Sequence, residues 1–398
     1  MKSWERKKLG DVCGFVRGPF GGSLKKNIFK PEGYAVYEQQ HAIYDQFDHI
    51  RYFIDENKFN EMKRFELNSG DLIMSCSGTM GKIAIVPENI KKGIINQALL
   101  KLTPSKKVST VFLKLWMQSE SFQESLREYS GGAAIQNVAS VATLKRIEIP
   151  LPPLLEQQRI VAILDEAFAA IAKAKANAEQ NLKNAKELFE SYLQGVFEKK
   201  GDGWEERKLG EVAEYDKNQN IHLGLPYVGL EHIESNSGRF IGSLASQEVK
   251  SSTFYFDKQH VLYGRLRPYL NKVLLPDFKG HCSTEIFPIK VNGQVAREFL
   301  FYWLIAVSTV KKIDATWTGA RMPRANMNQV LEFDFAFPSL KEQQTIVRQL
   351  GALRAETQKL EAVYQQKIAD LEELKKSILQ KVFAGELKMD SIKVAQTV

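Results

Sequence analysis

Cysteine is nearly absent from this chain. Cys13, Cys76 and Cys282 are the only three in 398 residues, scattered and without paired spacing, which argues against both a disulfide framework and a zinc site. Histidine is also scarce: the six, at positions 41, 49, 222, 232, 260 and 281, include no i, i+4 pair and no His-Glu-x-x-His, so no metal site is expected. The longest apolar run, FLFYWLIAV (299–307), falls far short of the ~20 residues that span a bilayer. MKSWERKKLG lacks the apolar core of a secretory signal, and the expected location is cytoplasmic, with no membrane partner. Familiar catalytic motifs are missing too. GTMGK (78–82) does not have the spacing of a phosphate-cradling loop, and GPFGG (18–22) reads as a tight turn. There is no nucleophile elbow and no Gly-rich S-adenosylmethionine loop followed by Asn-Pro-Pro-aromatic. Charge is only mildly unbalanced, 55 basic against 47 acidic residues for a net +8, which permits a nucleic-acid partner but fits a basic enzyme or scaffold as well.

What the chain does contain is a repeat. LPPLLEQQRIVAILDEAF (151–168) returns 186 positions later as FPSLKEQQTIVRQLGALR (337–354), and the same offset carries ELFESYLQGVF (187–197) onto ELKKSILQKVF (373–383), within EELKKSILQKVF (372–383). Upstream, WERKKLGDV (4–12) pairs with WEERKLGEV (204–212) at an offset of 200, so the first half is longer by 14 residues. Weaker echoes link VFLKLWM (111–117) to EFLFYWL (298–304) and GDLIMS (70–75) to QHVLYG (259–264). A tandem duplication has kept two segments alike and let the segments between them diverge.

The conserved segments read as long helices, from about Leu155 to Lys199 and from about Lys341 to Ala384, each preceded by a period-two run, IEIPL and FDFAF. Apolar residues recur every seven positions. In the first helix these are Leu164, Ile171, Ala178, Ala185 and Tyr192, with Phe168, Leu182, Phe189 and Val196 beside them. In the second they are Leu350, Thr357, Tyr364, Leu371 and Ile378, flanked by Leu353, Leu360, Ile368 and Leu374. Sustained heptads imply a coiled coil. Small Ala178 and Ala185 fall opposite large Tyr364 and Leu371 only in a parallel register, but a globular segment before each helix favours an antiparallel pair, because the two segments then lie at opposite ends. Two separate amphipathic helices, each packed on its own domain, are the competing reading.

Each divergent segment mixes short β-type runs with one amphipathic helix, near 108–129 and 295–313. Residues 70–86 and 260–275 read as hairpins with polar, basic turns, and polar Gly-containing loops follow at 130–138 and 318–330. These turns and loops hold Thr79, Lys82, Gln136 and Asn137 in the first segment, and Arg265, Arg267, Arg321, Arg324 and Asn326 in the second. Arg suits guanine and Asn or Gln suits adenine in the major groove. Arg17, Lys25, Lys26 and Arg51 are candidate phosphate contacts. Any of them could equally be a solvated surface cation.

Two divergent domains, each opened by W-x-x-x-x-L-G-[DE]-V and closed by P-[PS]-L-x-E-Q-Q-x-I-V, with long helices ending near L-Q-x-V-F, resemble the specificity subunit of type I restriction–modification systems over about residues 1–388. GLEHIES (229–235) and GAAIQNV (132–138) are also similar to recurring segments of that family. The resemblance implies an α+β architecture: two globular α/β target recognition domains separated by a long antiparallel two-helix coiled coil, as a pseudo-twofold tandem repeat. The divisions would be 1–153 and 201–338 for the recognition domains, 154–200 and 339–385 for the helices, and 386–398 for a tail. It further implies a sequence-specific subunit that reads a bipartite site on double-stranded DNA, with two modification subunits and restriction subunits as partners. The coil would set the distance between half-sites. S-adenosylmethionine, ATP and Mg would sit on those partners, and this chain would have no catalysis of its own. Glu156, Gln157, Gln158, Glu342, Gln343 and Gln344 are candidate partner contacts, or else helix-capping residues. A coiled-coil scaffold without DNA specificity and an autonomous DNA-modifying enzyme are the competing readings.

Overall fold

In the computed structural model, which describes residues 4–20, 22–128, 140–318 and 322–386, the two ends of each divergent segment are tied together by a short antiparallel ribbon. Glu5–Lys8 pairs with Glu148–Leu151, in the register Glu5↔Leu151 to Lys8↔Glu148. Glu205–Lys208 pairs with Asp334–Phe337, from Glu205↔Phe337 to Lys208↔Asp334. The tryptophan-led motif and the run before Glu-Gln-Gln are therefore two sides of one clasp. That accounts for their joint retention in both halves: a change of register in one strand would turn the other's inward residues outward.

The chain divides into two compact units, residues 1–177 with 367–398, and residues 178–366. In the first, a four-stranded sheet runs Cys13–Arg17, Leu99–Pro104, Leu72–Ser75, Ile83–Ile85, all antiparallel. A three-stranded sheet places Tyr34–Tyr37 between Tyr52–Ile54 and Gly93–Ile95, the latter in parallel. The second unit repeats the plan. Its four-stranded sheet runs Ala213–Tyr215, Ile286–Val291, His260–Gly264, Val273–Leu274. Its other sheet orders Gln219–Asn220, Thr253–Phe256, Gly280–Cys282 and Tyr227–Val228, again with one parallel pair. Both expected hairpins are present, as Leu72–Ser75 with Ile83–Ile85 and as His260–Gly264 with Val273–Leu274.

The expected single amphipathic helix is in each case two. Thr110–Met117 is followed by Glu120–Glu128, and Arg297–Ile305 by Val307–Asp314. The second break lies at Ala306, which is extended (φ −64°, ψ 135°), so the helical hydrogen-bond ladder cannot run through it. The joint costs the core little, since Phe299, Leu300, Leu304 and Ala306 are all fully buried.

The long helices span Leu154–Lys199 and Leu340–Phe383. Within the first unit they run antiparallel: Lys375 lies over the Phe168 ring at 5.0 Å, and Lys175 reaches Glu372 at 2.5 Å, so numbers fall on one helix as they rise on the other. Ile160, Leu164 and Ala167 share a core there with Leu379, Val382 and Phe383. Within the second unit Leu193 and Leu350 share a core, joined by Val196, Phe197, Ile346 and Val347. The heptad seam is less continuous than its pattern suggests. Ala178, Ala185 and Thr357 are buried, but Tyr192, Leu360 and Leu374 are exposed. A helix with 3.6 residues per turn drifts away from a strict seven-residue row unless it supercoils to follow it.

Candidate nucleic-acid interface

Both hairpin turns are held rigidly, by different means. In the first unit Ser75 does the work: its Oγ donates to the Thr79 carbonyl at 2.6 Å and accepts from the Lys82 amide at 3.0 Å. Gln123 Nε2 adds a donor to the Gly81 carbonyl at 3.1 Å. Thr79 and Lys82 are thereby presented, exposed, on one braced turn. Arg17 ends the edge strand of the same sheet, close enough to Cys76 to act on its thiol, although burial dominates and pushes that thiol up to about 12. Lys25 and Lys26 are exposed at the short turn Lys26–Ile28. Arg51 donates to Glu38 Oε1 at 2.9 Å and lies 4.5 Å over the Tyr52 ring, so part of its charge is already answered. Gln136 and Asn137 lie outside the described residues.

In the second unit the turn is braced by a neighbouring loop. The Ala325 amide donates to the Arg265 carbonyl at 2.8 Å, and the Arg267 amide to the Pro323 carbonyl at 2.7 Å. Glu285 locks the side chains. Arg265 Nε donates to its Oε2 at 2.9 Å, while Arg324 donates through Nη2 at 2.8 Å and through Nε at 3.0 and 3.1 Å. Burial alone would raise the Glu285 carboxyl, but hydrogen bonds from Arg324 and Arg265 outweigh it and hold the group below its ordinary range. Arg265 also stacks 5.1 Å over Phe287. Of the candidate base-reading arginines, Arg265 and Arg324 thus both face one carboxylate, that of Glu285. Asn326 is likewise engaged, its Oδ1 accepting from the Gln329 amide at 3.4 Å as the cap of Met327–Leu331. Arg267 remains exposed. Arg321 lies outside the described residues.

Several of the contacts that hold these turns and caps have no signal in the sequence. Glu285 carries no motif. Gln39, which accepts from Ser77 Oγ at 3.5 Å beside the first turn, sits in a plain polar run. His41 and His232 turn out to be equivalent caps, accepting through Nδ1 from the Glu38 amide at 2.9 Å and the Gly229 amide at 3.1 Å. The signal for that pair was present as V-Y-E-Q-Q-H (36–41) beside V-G-L-E-H (228–232).

The Glu-Gln-Gln segments divide by burial. Gln157 and Gln343 are 0% exposed, which corrects their assignment as surface contacts. Gln157 Oε1 accepts from the Ser109 amide at 2.8 Å, and its Nε2 donates to the carbonyls of Pro152 (2.8 Å) and Lys107 (3.2 Å). Gln343 repeats this with the Ala296 amide at 2.8 Å and the carbonyls of Pro338 (2.8 Å) and Gln294 (2.9 Å). Each is a bracket joining the start of a long helix to the loop before a core helix. Glu156 and Glu342 are partly or fully exposed, Glu342 accepting from Trp204 Nε1 at 3.3 Å, and Gln158 and Gln344 are exposed.

Among the described residues no helix is long and apolar enough to cross a membrane, and no group of three His, Cys, Asp or Glu is placed to hold a metal ion.

Comparison with known proteins adds independent findings. A family model described as the type I restriction modification DNA specificity domain matches residues 1–183 and again 201–372. The chain is 29% identical over 191 residues to the type I restriction enzyme EcoDI specificity subunit of Escherichia coli, a match covering 47% of this chain and 43% of that relative. To the MjaIX specificity subunit of Methanocaldococcus jannaschii it is 22% identical over 427 residues, covering 98% of this chain and 95% of the other. A solved chain from work on complex assembly and conformational transition of the type I R-M system has a similar fold, with a TM-score of 0.77 at 18% identity over 97% of this chain and 99% of that one.

Proposed function

The chain belongs to the type I restriction modification DNA specificity family, and from that premise we propose how its parts divide the work. It is a DNA-recognition subunit with two target recognition domains, one in each copy of the repeat. The domain around 1–153 reads one half of a bipartite site in double-stranded DNA, and the domain around 201–338 reads the other. One observation carries this reading: the same clasp, the same order in the four-stranded antiparallel sheet and the same glutamine bracket recur in both units, while the hairpin turns of that sheet carry different side chains, Thr79 and Lys82 in one and Arg265 and Arg267 in the other. A shared frame with unlike turns suits two readers of unlike sequences.

The chain contributes specificity and leaves the chemistry to its partners. Modification subunits would bring S-adenosylmethionine, and restriction subunits ATP and magnesium. Two equivalent surfaces support docking of two modification subunits. Leu154 and Leu340 occupy the same place at the start of the two long helices and are 44% and 43% exposed, beside the exposed Gln158 and Gln344. Paired apolar and polar exposure at repeat-related positions suits two copies of one partner.

The test is methylome sequencing in cells that express this chain with its modification subunit. A bipartite adenine-methylation motif should appear with the chain and vanish without it. Exchange of residues 1–150 for those of a related subunit should change one half-site and leave the other. An unchanged motif after the exchange would refute the division of labour.

A further inference from the structure

The two hairpin turns solve one backbone problem in two ways. Each needs a left-handed residue three positions after the strand that enters it. In the first turn that residue is Gly78, with φ +65°, following Ser75. In the second it is Arg267, with φ +52° and ψ +66°, following Gly264. The turns correspond in their hydrogen bonds as well: the Cys76 amide donates to Ala98 O and the Arg265 amide to Glu285 O, both at 2.9 Å. Glycine takes this conformation freely, whereas an L-residue with a side chain is strained there. The second turn therefore keeps a side chain at a place where the same protein, in its other half, uses none.

That side chain is also the one left available. Glu285 occupies Arg265 and Arg324, using both the Nε and Nη2 edge of Arg324. Arg267 makes no side-chain hydrogen bond, ion pair or ring contact among the described residues, and it is exposed. Its own backbone is pinned by the 2.7 Å bond from its amide to Pro323 O. A phosphate contact needs only a flexible cation at the surface. A fixed Cα–Cβ direction from a strained, doubly anchored turn is useful where a planar guanidinium must meet two acceptors at a set angle.

We propose that Arg267 is the guanine-reading residue of the second recognition domain, aimed by its left-handed backbone, with Glu285 as the positioning residue that braces the turn and keeps Arg265 and Arg324 from competing. This rests on the DNA-recognition role given above. Arg267 would donate to O6 and N7 of one guanine in the major groove.

The experiment is adenine-methylome sequencing with the complete complex carrying the parent chain, R267K or R267G, together with thermal melting of each purified chain. The parent must show a bipartite motif; if it shows none, the recognition role itself fails, and that result is read before any variant is considered. Given the motif, R267G should melt no lower than the parent, because glycine relieves the backbone. It should nevertheless lose preference for guanine at one position of the half-site assigned to residues 201–338, by about 10- to 100-fold. The other half-site should be untouched, and R267K should fall between. The proposal is overturned if that half-site contains no guanine. It is also overturned if R267G lowers methylation evenly across sites with the motif intact and the salt slope of binding reduced by about one, the signature of a phosphate contact.

Discussion

Phe383 meets Phe112 edge-on, with ring centroids 5.4 Å apart, so the end of the second long helix completes the core of the first unit. In the second unit Phe197 meets Phe299 in the same manner at 5.3 Å. Each recognition domain thus uses the beginning of one long helix and the end of the other.

This arrangement makes Phe383 structurally costly to lose. F383A should destabilise the first unit by about 3 kcal/mol, the usual cost of truncating a buried aromatic side chain. F197A should cost less, because Phe197 is only partly buried in its own unit. Urea unfolding followed by hydrogen exchange in each unit separates the two; equal losses in both units for F383A would contradict the assignment.

The buried glutamines give a second prediction. Q157A leaves the Ser109 amide and two carbonyls without their partner and should cost about 2–4 kcal/mol, with Q343A similar. The Ser109 amide should lose its exchange protection in Q157A, and the Ala296 amide should do so in Q343A. If either glutamine instead served a partner subunit, Q157A or Q343A would melt like the parent and fail only in assembly.

Glu285 links stability to pH. Its carboxyl is held lower when folded than in the unfolded chain, so it contributes stability above the ordinary glutamate value of about 4.3 and loses it as pH falls through the depressed folded value. E285Q should melt below the parent near neutrality, and the gap should narrow steadily under acid. A constant gap from neutrality to acid would show that the two arginines do not sense the carboxylate.

Much of this architecture is legible in the sequence because it repeats. Helices declare themselves by period, and the antiparallel direction follows from placing a domain before each helix. The hairpins show as apolar runs around Gly78 and around Arg267. The brackets and the arginine lock are not legible, for a physical reason. Gln157 looks like any helix-surface glutamine until the loop that buries it is known, and its partners Ser109 and Lys107 are about fifty residues away. Glu285 is 20 residues from Arg265 and 39 from Arg324, so nothing local marks it as their shared counterion. Tyr192 misleads in the other direction: it keeps the heptad row yet stands exposed, because periodicity records a row and not what faces it.

The contact of Phe383 with Phe112 also orders events during synthesis. Residues 178–366 form one uninterrupted stretch, whereas the first unit needs residues from 367 onward. At about 5–20 residues per second, the ribosome takes roughly 10–40 s to reach residue 367 after passing residue 177. The domain translated first is therefore finished last. Through that interval the apolar wall that receives Leu379, Val382 and Phe383 stands open to chaperones and to any neighbouring nascent chain that offers a similar helix.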